Sequence, residues 1–283
     1  MSRRAALLVV VAGAIAVGPA AASGRGSSEA AGERIQARLT YTETDRPGLV
    51  AGARLKITVD GHTLMNRPLP GCALCFIRGN SLHISDLDGD ARDEVAVTLK
   101  TTGAHCCAVL DVSRRVGSRF VGVSRSFRGC ALTLRDLDRD GRLEVVACDY
   151  RFNSLFTSYA DSVTPGRIWE FDQGSFRLVT RRFAAHVRAD ADAAFKAYRR
   201  LRTERPRREV RGALAAWAAD ECLLGEAAQV WPRLKAARKA GELVGSGGPQ
   251  GAAYVNALRA QLVRLGYLPG TSGAARGPRQ KSA

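Results

Sequence analysis

The sequence predicts an α+β protein, an all-β N-terminal body followed by a small helical subdomain. Three observations carry that prediction. Strand-length runs that alternate or are wholly apolar, broken by Gly, Asp and Pro turns, continue to about residue 180. After about residue 185 the chain changes to helix formers with apolar residues at helical spacing. An acidic nine-residue segment occurs twice, fifty residues apart, each time between two strand-like runs: Asp86-Leu87-Asp88-Gly89-Asp90-Ala91-Arg92-Asp93-Glu94 and Asp136-Leu137-Asp138-Arg139-Asp140-Gly141-Arg142-Leu143-Glu144.

In chain order, residues 1–22 read as an export signal. Arg3 and Arg4 precede an apolar run from Ala5 to Val17, and Ala20-Ala21-Ala22 supplies small residues for cleavage. That run is shorter than the roughly 20 residues a spanning helix needs, and no later segment comes closer. Residues 23–33, rich in Gly, Ser and Ala, predict a flexible lead-in. The β body is expected over 34–183. Its strands fall at Ile35–Thr44, Ala53–Val59 and His62–Met65, with an Asp60-Gly61 hairpin turn between the last two. Further strands are expected at Leu82–Ile84, Val95–Leu99, Ala108–Val112, Arg119–Val123, Ala131–Leu134, Val145–Ala147, Ser158–Ala160, Arg167–Phe171 and Phe176–Val179. The helical subdomain is expected over 185–268, with helices at about 189–204, 207–224, 227–241 and 250–266. Pro206 reads as a helix-initiating residue. In the second helix Val210, Leu214, Trp217, Ala218 and Leu224 form one apolar face, and Trp217 and Trp231 read as packing residues. Residues 269–283 read as a disordered basic tail.

The formal charge is +16, and 37 of the 43 basic residues are arginine, spread through strands, helices and tail alike. A GC-rich coding sequence produces such a balance without a polyanion partner. The competing reading is electrostatic attraction to acidic envelope material. Export, and the absence of a basic groove with interleaved aromatics, argue against nucleic acid.

Seven cysteines in an exported chain predict disulfides with one thiol left over. Cys130 and Cys148 flank the second acidic loop on opposed strands and suit a bridge if the register brings them together. Adjacent Cys106 and Cys107 point to opposite sides of a strand, which predicts separate partners, with Cys72 and Cys75 as candidates. Cys222, in a helical stretch, is the expected free thiol. His105, Cys106 and Cys107 with Cys72 and Cys75 offer soft ligands for zinc, at a spacing that matches no standard finger.

The acidic loops point to calcium. Carboxylates at positions 1, 3, 5 and 9 can converge on one hard cation, with the position 7 carbonyl as a further oxygen ligand. An EF-hand is excluded: position 12 is Val97 in the first loop and Ala147 in the second, where a bidentate Glu is required. Strand, acidic loop and strand at this period resemble the FG-GAP or VCBS-type repeats of secreted bacterial proteins and integrin α-chain propellers, over roughly residues 80–180. The resemblance implies propeller-blade-like hairpins with calcium held between the first two strands of each blade. Its ligands would be Asp86, Asp88, Asp90 and Glu94 with the Arg92 carbonyl, and Asp136, Asp138, Asp140 and Glu144 with the Arg142 carbonyl. Ala91 stands where glycine is usual at position 6, which predicts a weaker or distorted first site. Two repeats fall short of the roughly four blades that close a propeller, so combination of subunits stays open. The segment from Tyr254 to Gly270 is similar to the ending of bacterial peptidoglycan-binding modules.

No G-x-S-x-G or H-E-x-x-H motif is present, and His62, His83, His105 and His186 lie in no catalytic pattern. The function expected is therefore that of a secreted, periplasmic or envelope protein that binds two Ca²⁺ and presents a surface to a protein, glycan or envelope polymer without catalysis. The alternatives are an exported hydrolase with a centre not legible from spacing, and a purely structural envelope component.

Overall fold

The computed structural model describes residues 25–32, 34–78, 80–103, 107–204 and 208–269. The expected signal (1–22), the tail from 270, Pro206, His105 and Cys106 lie outside the described residues. The architecture is α+β, as the sequence predicts: thirteen strands followed by four helices among the described residues.

The expected flexible lead-in is instead strand β1 (Arg25–Ala31), paired along its whole length with β2 (Ile35–Glu43). The ladder overrides a composition poor in β-branched residues. Gly26 lets the Tyr41 ring rest against the strand, since a Cβ there would lie 2.2 Å from that ring. The strands β3 (Leu49–Val59) and β4 (His62–Pro68) meet at Asp60-Gly61, where both residues take positive φ (48° and 80°) and Val59 pairs with His62. This is the two-residue hairpin that Asp-Gly favours. A short strand β5 (Leu74–Phe76), not foreseen from the sequence, joins β3 to the next unit.

Two four-stranded antiparallel meanders follow. The first comprises β6 (Leu82–Ser85), β7 (Glu94–Thr101), β8 (Ala108–Val116) and β9 (Arg119–Ser126). The second comprises β10 (Thr133–Arg135), β11 (Glu144–Cys148), β12 (Gly166–Asp172) and β13 (Ser175–Leu178). The first meander is continuous with β1–β5 in one nine-stranded sheet, and the second is a separate sheet. Residues expected to form a strand at Ser158–Ala160 form a turn, because Ser158 takes local partners: its Oγ accepts from the Asp161 amide and its carbonyl from the Ser162 hydroxyl.

Strand alternation explains how the sheets stack. On one face of the first meander, Val95, Val97, Leu99 and Val109 pack with Leu39, Leu55 and Ile57 of β2 and β3. On the other face Ala96, Leu110 and Val112 pack with Val145, Ala147, Trp169 and Phe171 of the second meander. The helices α1 (Ala184–Leu201), α2 (Arg211–Leu223), α3 (Ala227–Lys239) and α4 (Gly251–Arg264) share a third core, which Phe152 and Phe156 enter from the segment after β11. α2 is buried on every side rather than along one expected face, as suits a central alanine-rich helix. Trp217 lies in this core and Trp231 packs against it.

The body and the helices are joined by a buried polar knot. Asp149, 4% exposed, accepts from Arg151 and Arg167 and from the hydroxyl of Tyr267 (3.0 Å), while the Arg167 guanidinium lies 4.4 Å from the centre of the Tyr267 ring. Cys130 and Cys148 are bridged, with Cα atoms 5.3 Å apart. Cys72 and Cys75 are bridged to each other, which overturns the expectation that they pair with Cys106 and Cys107. Their Cα atoms, 4.9 Å apart across the turn that enters β5, already lie within bridging distance. Cys222 is free and buried.

Candidate metal centre

Both acidic loops open between the first and second strands of a meander, at the same register. Ser85 pairs with Glu94 in the first, and Arg135 with Glu144 in the second. The backbone inside each loop is organised by its first aspartate. Asp86 accepts from the amides of Gly89 (2.7 Å) and Ala91 (2.9 Å), as Asp136 accepts from Arg139 (2.6 Å) and Gly141 (3.1 Å). The position 5 carboxylates, Asp90 and Asp140, accept from the amides of Arg92 and Arg142. The closing glutamates turn back into the loops: Glu94 accepts from the Leu87 amide and Glu144 from the Leu137 amide, each at 2.8 Å.

Positions 4 and 6 take left-handed backbone in both loops, and glycine serves only one of the two each time. The φ values are 76° and 61° at Gly89 and Ala91, and 65° and 90° at Arg139 and Gly141. Ala91 therefore adopts the conformation usually given to glycine and makes the same hydrogen bond as its counterpart. The distortion expected of the first loop is absent, and the strain of a Cβ at positive φ is shared evenly between the loops.

The side chains diverge where the backbones agree. In the first loop, carboxylate oxygens of Asp86, Asp88 and Asp90 lie within 4.8 Å of one another. The Asp88 side chain is fully buried, and neither of its oxygens has a hydrogen-bond partner among the described residues. Arg114 Nε approaches to 3.7 Å without donating. Burial, and then Asp90, raise the Asp88 pKa; the charge of Arg114 and the amides of Asp90 and Gln173, which point towards it without closing a hydrogen bond, oppose this. Burial likewise pushes Glu94 up to about 7, against the Leu87 amide and with the three loop aspartates adding to the rise.

In the second loop the gathered set is Asp136, Asp138 and Glu144. Asp140 is instead held by the Arg142 guanidinium, with Nε at 3.1 Å, and its pKa is lowered by the Arg142 amide and side chain. Asp138 faces Arg182 at 3.8 Å, and Arg182 also pairs with buried Glu170. Burial raises the pKa of Glu144 as well. Arg142 links the loops, its Nη1 lying 3.5 Å from the Asp88 carbonyl. Nothing in the spacing pointed to Arg114, Gln173 or Arg182, which come from the β8–β9 end, the β12–β13 turn and the segment before α1.

Oxygen-rich clusters of this kind suit a hard divalent cation. A cation would supply the coordination that the Asp88 oxygens, with no hydrogen bond and Arg114 standing off at 3.7 Å, do not have, and would offset repulsion between carboxylates.

Residues 187–266 match the sll0997 C-terminal domain family. The chain is 32% identical over 163 residues to the probable thylakoid lumen protein sll0997 of Synechocystis sp. (strain ATCC 27184 / PCC 6803 / Kazusa), covering 53% of this chain and 45% of that protein. It is 29% identical over 143 residues to the uncharacterized protein y4bJ of Sinorhizobium fredii (strain NBRC 101917 / NGR234), covering 50% and 22%. The chain thus spans less than half the length of either relative. A solved structure of a Xanthomonas type IV secretion system related protein aligns at 11% identity over 57% of this chain and 96% of that chain, with a TM-score of 0.20, too low to bear on the fold. Among the described residues no helix is long and apolar enough to cross a membrane.

Proposed function

We propose that this is an extracytoplasmic, non-catalytic protein whose two acidic loops each bind Ca²⁺, and that the fixed loops present a surface to a protein, glycan or envelope polymer. The observation that carries the reading is Asp88: a buried carboxylate with no hydrogen bond, whose charge partner Arg114 stands off at 3.7 Å, has both oxygens left to coordinate a cation. The FG-GAP or VCBS-type resemblance agrees with the placement of each loop between the first two strands of a four-stranded meander. The name of the Synechocystis relative, a probable thylakoid lumen protein, supports a location outside the cytoplasm.

On this reading the ligands are Asp86, Asp88, Asp90 and Glu94 in the first site, and Asp136, Asp138, Asp140 and Glu144 in the second, with the Arg92 and Arg142 carbonyls. Extracellular calcium modules bind at about 10⁻⁴ to 10⁻³ M. At 10 mM calcium a site of about 10⁻⁴ M affinity would add about 2.7 kcal/mol of stability, or roughly 5–10 °C in Tm for a chain of this size. Thermal unfolding in EDTA and in 10 mM CaCl₂ tests this. A calcium-dependent rise that magnesium does not reproduce supports the reading, and identical curves reject it.

A further inference from the structure

A second site lies away from the acidic loops, between the β10–β11 hairpin and α1. It is a cavity of about 620 Å³, walled on one side by the Cys130–Cys148 bridge and on the other by His186, Asp190 and Asp220. Among the described residues no lysine or arginine lines it, in a chain carrying 43 of them. Apart from two tyrosines, its titratable lining is His186, Asp190 and Asp220, an acidic set in a basic chain.

Asp220 is the unusual group. It projects from the fully buried helix α2, is 1% exposed, and has no hydrogen-bond partner for either carboxylate oxygen among the described residues. Asp190 approaches from α1, with His186 Nε2 at 3.7 Å from its carboxylate. Gly166 makes room for Asp190, since a Cβ there would lie 2.0 Å from its Oδ2. Tyr150 and Tyr159 add two rings to the wall.

We propose that this cavity binds a small organic cation, a primary amine or guanidinium compound, with Asp220 as its counter-ion, Asp190 as a second acidic contact and the tyrosine rings as a favourable wall for positive charge. A cation gives the ionised Asp220 carboxylate a charge partner inside the cavity, which a neutral occupant cannot. His186, Asp190 and Asp220 do not form a gathered set of three metal-ligating groups like those of the two loops among the described residues.

The charged and titratable groups around Asp220 set the pH behaviour. Burial and then Asp190 push its pKa up to about 9, Arg167 from β12 opposes this, and Glu221 on its own helix adds to the rise. Cys222 and Tyr267 feel its charge in turn, and His186 lowers the pKa of Asp190, which burial raises. Without ligand Asp220 is therefore protonated at neutral pH, and binding a cation expels that proton. Affinity should rise with pH from 7 towards 9, by up to about tenfold per unit for one proton released.

The test is titration calorimetry of the full chain with agmatine, putrescine and the uncharged 1,4-butanediol, at pH 7.0 and 8.5 in two buffers of different ionisation enthalpy. Saturable binding of agmatine or putrescine, proton release, tighter binding at the higher pH and silence from butanediol support the proposal. Asp220→Asn should weaken agmatine at least tenfold with an unchanged circular dichroism spectrum. Asp190→Asn should weaken it several-fold and stands in if the first variant does not fold. Asp45→Asn, exposed in the turn between β2 and β3, should change nothing. No cation binding at millimolar concentration, equal binding of butanediol, displacement of agmatine by Mn²⁺ or Zn²⁺, or indifference to both substitutions would each overturn it.

Discussion

The two acidic loops share a backbone and differ in what their side chains have left to offer. Each is pinned by its first aspartate to the same two amides, and each carries left-handed residues at the same two positions. Each position 3 aspartate has an arginine nearby, Asp88 with Arg114 at 3.7 Å and Asp138 with Arg182 at 3.8 Å, yet Asp88 is buried with no hydrogen bond while Asp138 is partly exposed. Among the described residues no arginine side chain pairs with Asp90, where Asp140 is held by Arg142. A repeated motif thus fixes the loop path, and residues outside the motif decide how many carboxylates stay available to a cation. On this comparison the first loop, despite Ala91, should be the stronger calcium site.

That ranking can be broken directly. The largest expected effect is that Asp88→Ala removes most of the calcium-dependent rise in Tm, several degrees by differential scanning calorimetry, while Asp138→Ala removes a smaller share. The reverse order would place the stronger site in the second loop. A sharper version is Asp88→Asn. In EDTA it should raise stability by about 1 kcal/mol, because an amide is cheaper to bury than a carboxylate without a hydrogen bond whose ion pair with Arg114 is long. In calcium it should be the less stable protein, so the two curves cross.

The pH response should also separate the loops. Glu94 has a folded pKa of about 7, above the ordinary glutamate value of 4.5. Its contribution to stability is therefore fully present below about pH 4.5 and lost as pH rises through 7. In EDTA, Glu94→Gln should flatten stability between pH 5 and 7.5 in urea titrations, and more so than Glu144→Gln if the second glutamate is less perturbed. The smallest effect concerns backbone strain. Ala91→Gly and Arg139→Gly should each stabilise by about 1 kcal/mol without altering the calcium response, whereas Gly141→Ala should cost a similar amount.

Much of this was legible in the sequence because it depends on spacing. The loops announced themselves through carboxylates at fixed intervals between apolar strand runs, and the Asp60-Gly61 hairpin and the Cys130–Cys148 bridge followed from local pattern and register. What depended on distant neighbours was hidden. The segment Arg25–Ala31 has the composition of a linker and becomes a strand only because β2 lies beside it. Ser158–Ala160 was lost to short-range hydrogen bonds that compete with a ladder. Arg114 and Arg182 reach the loops from remote segments, so no periodicity could assign them. Asp220 left one faint trace, a charged pair with Glu221 inside the alanine-rich run of α2, and only the fold gives it a cavity.

The knot of Asp149, Arg167 and Tyr267 bears on how the molecule comes apart. The segment that matches the sll0997 C-terminal domain ends at residue 266, just before the tyrosine that docks onto the β body. Pulling the helices away would strand Asp149 beside its arginines with one acceptor contact broken, and would bare the ring on which Arg167 rests. Sheet and helices are therefore expected to melt together in a single transition, and a cation seated in a loop at the edge of the sheet would be felt as added heat resistance in the helical signal.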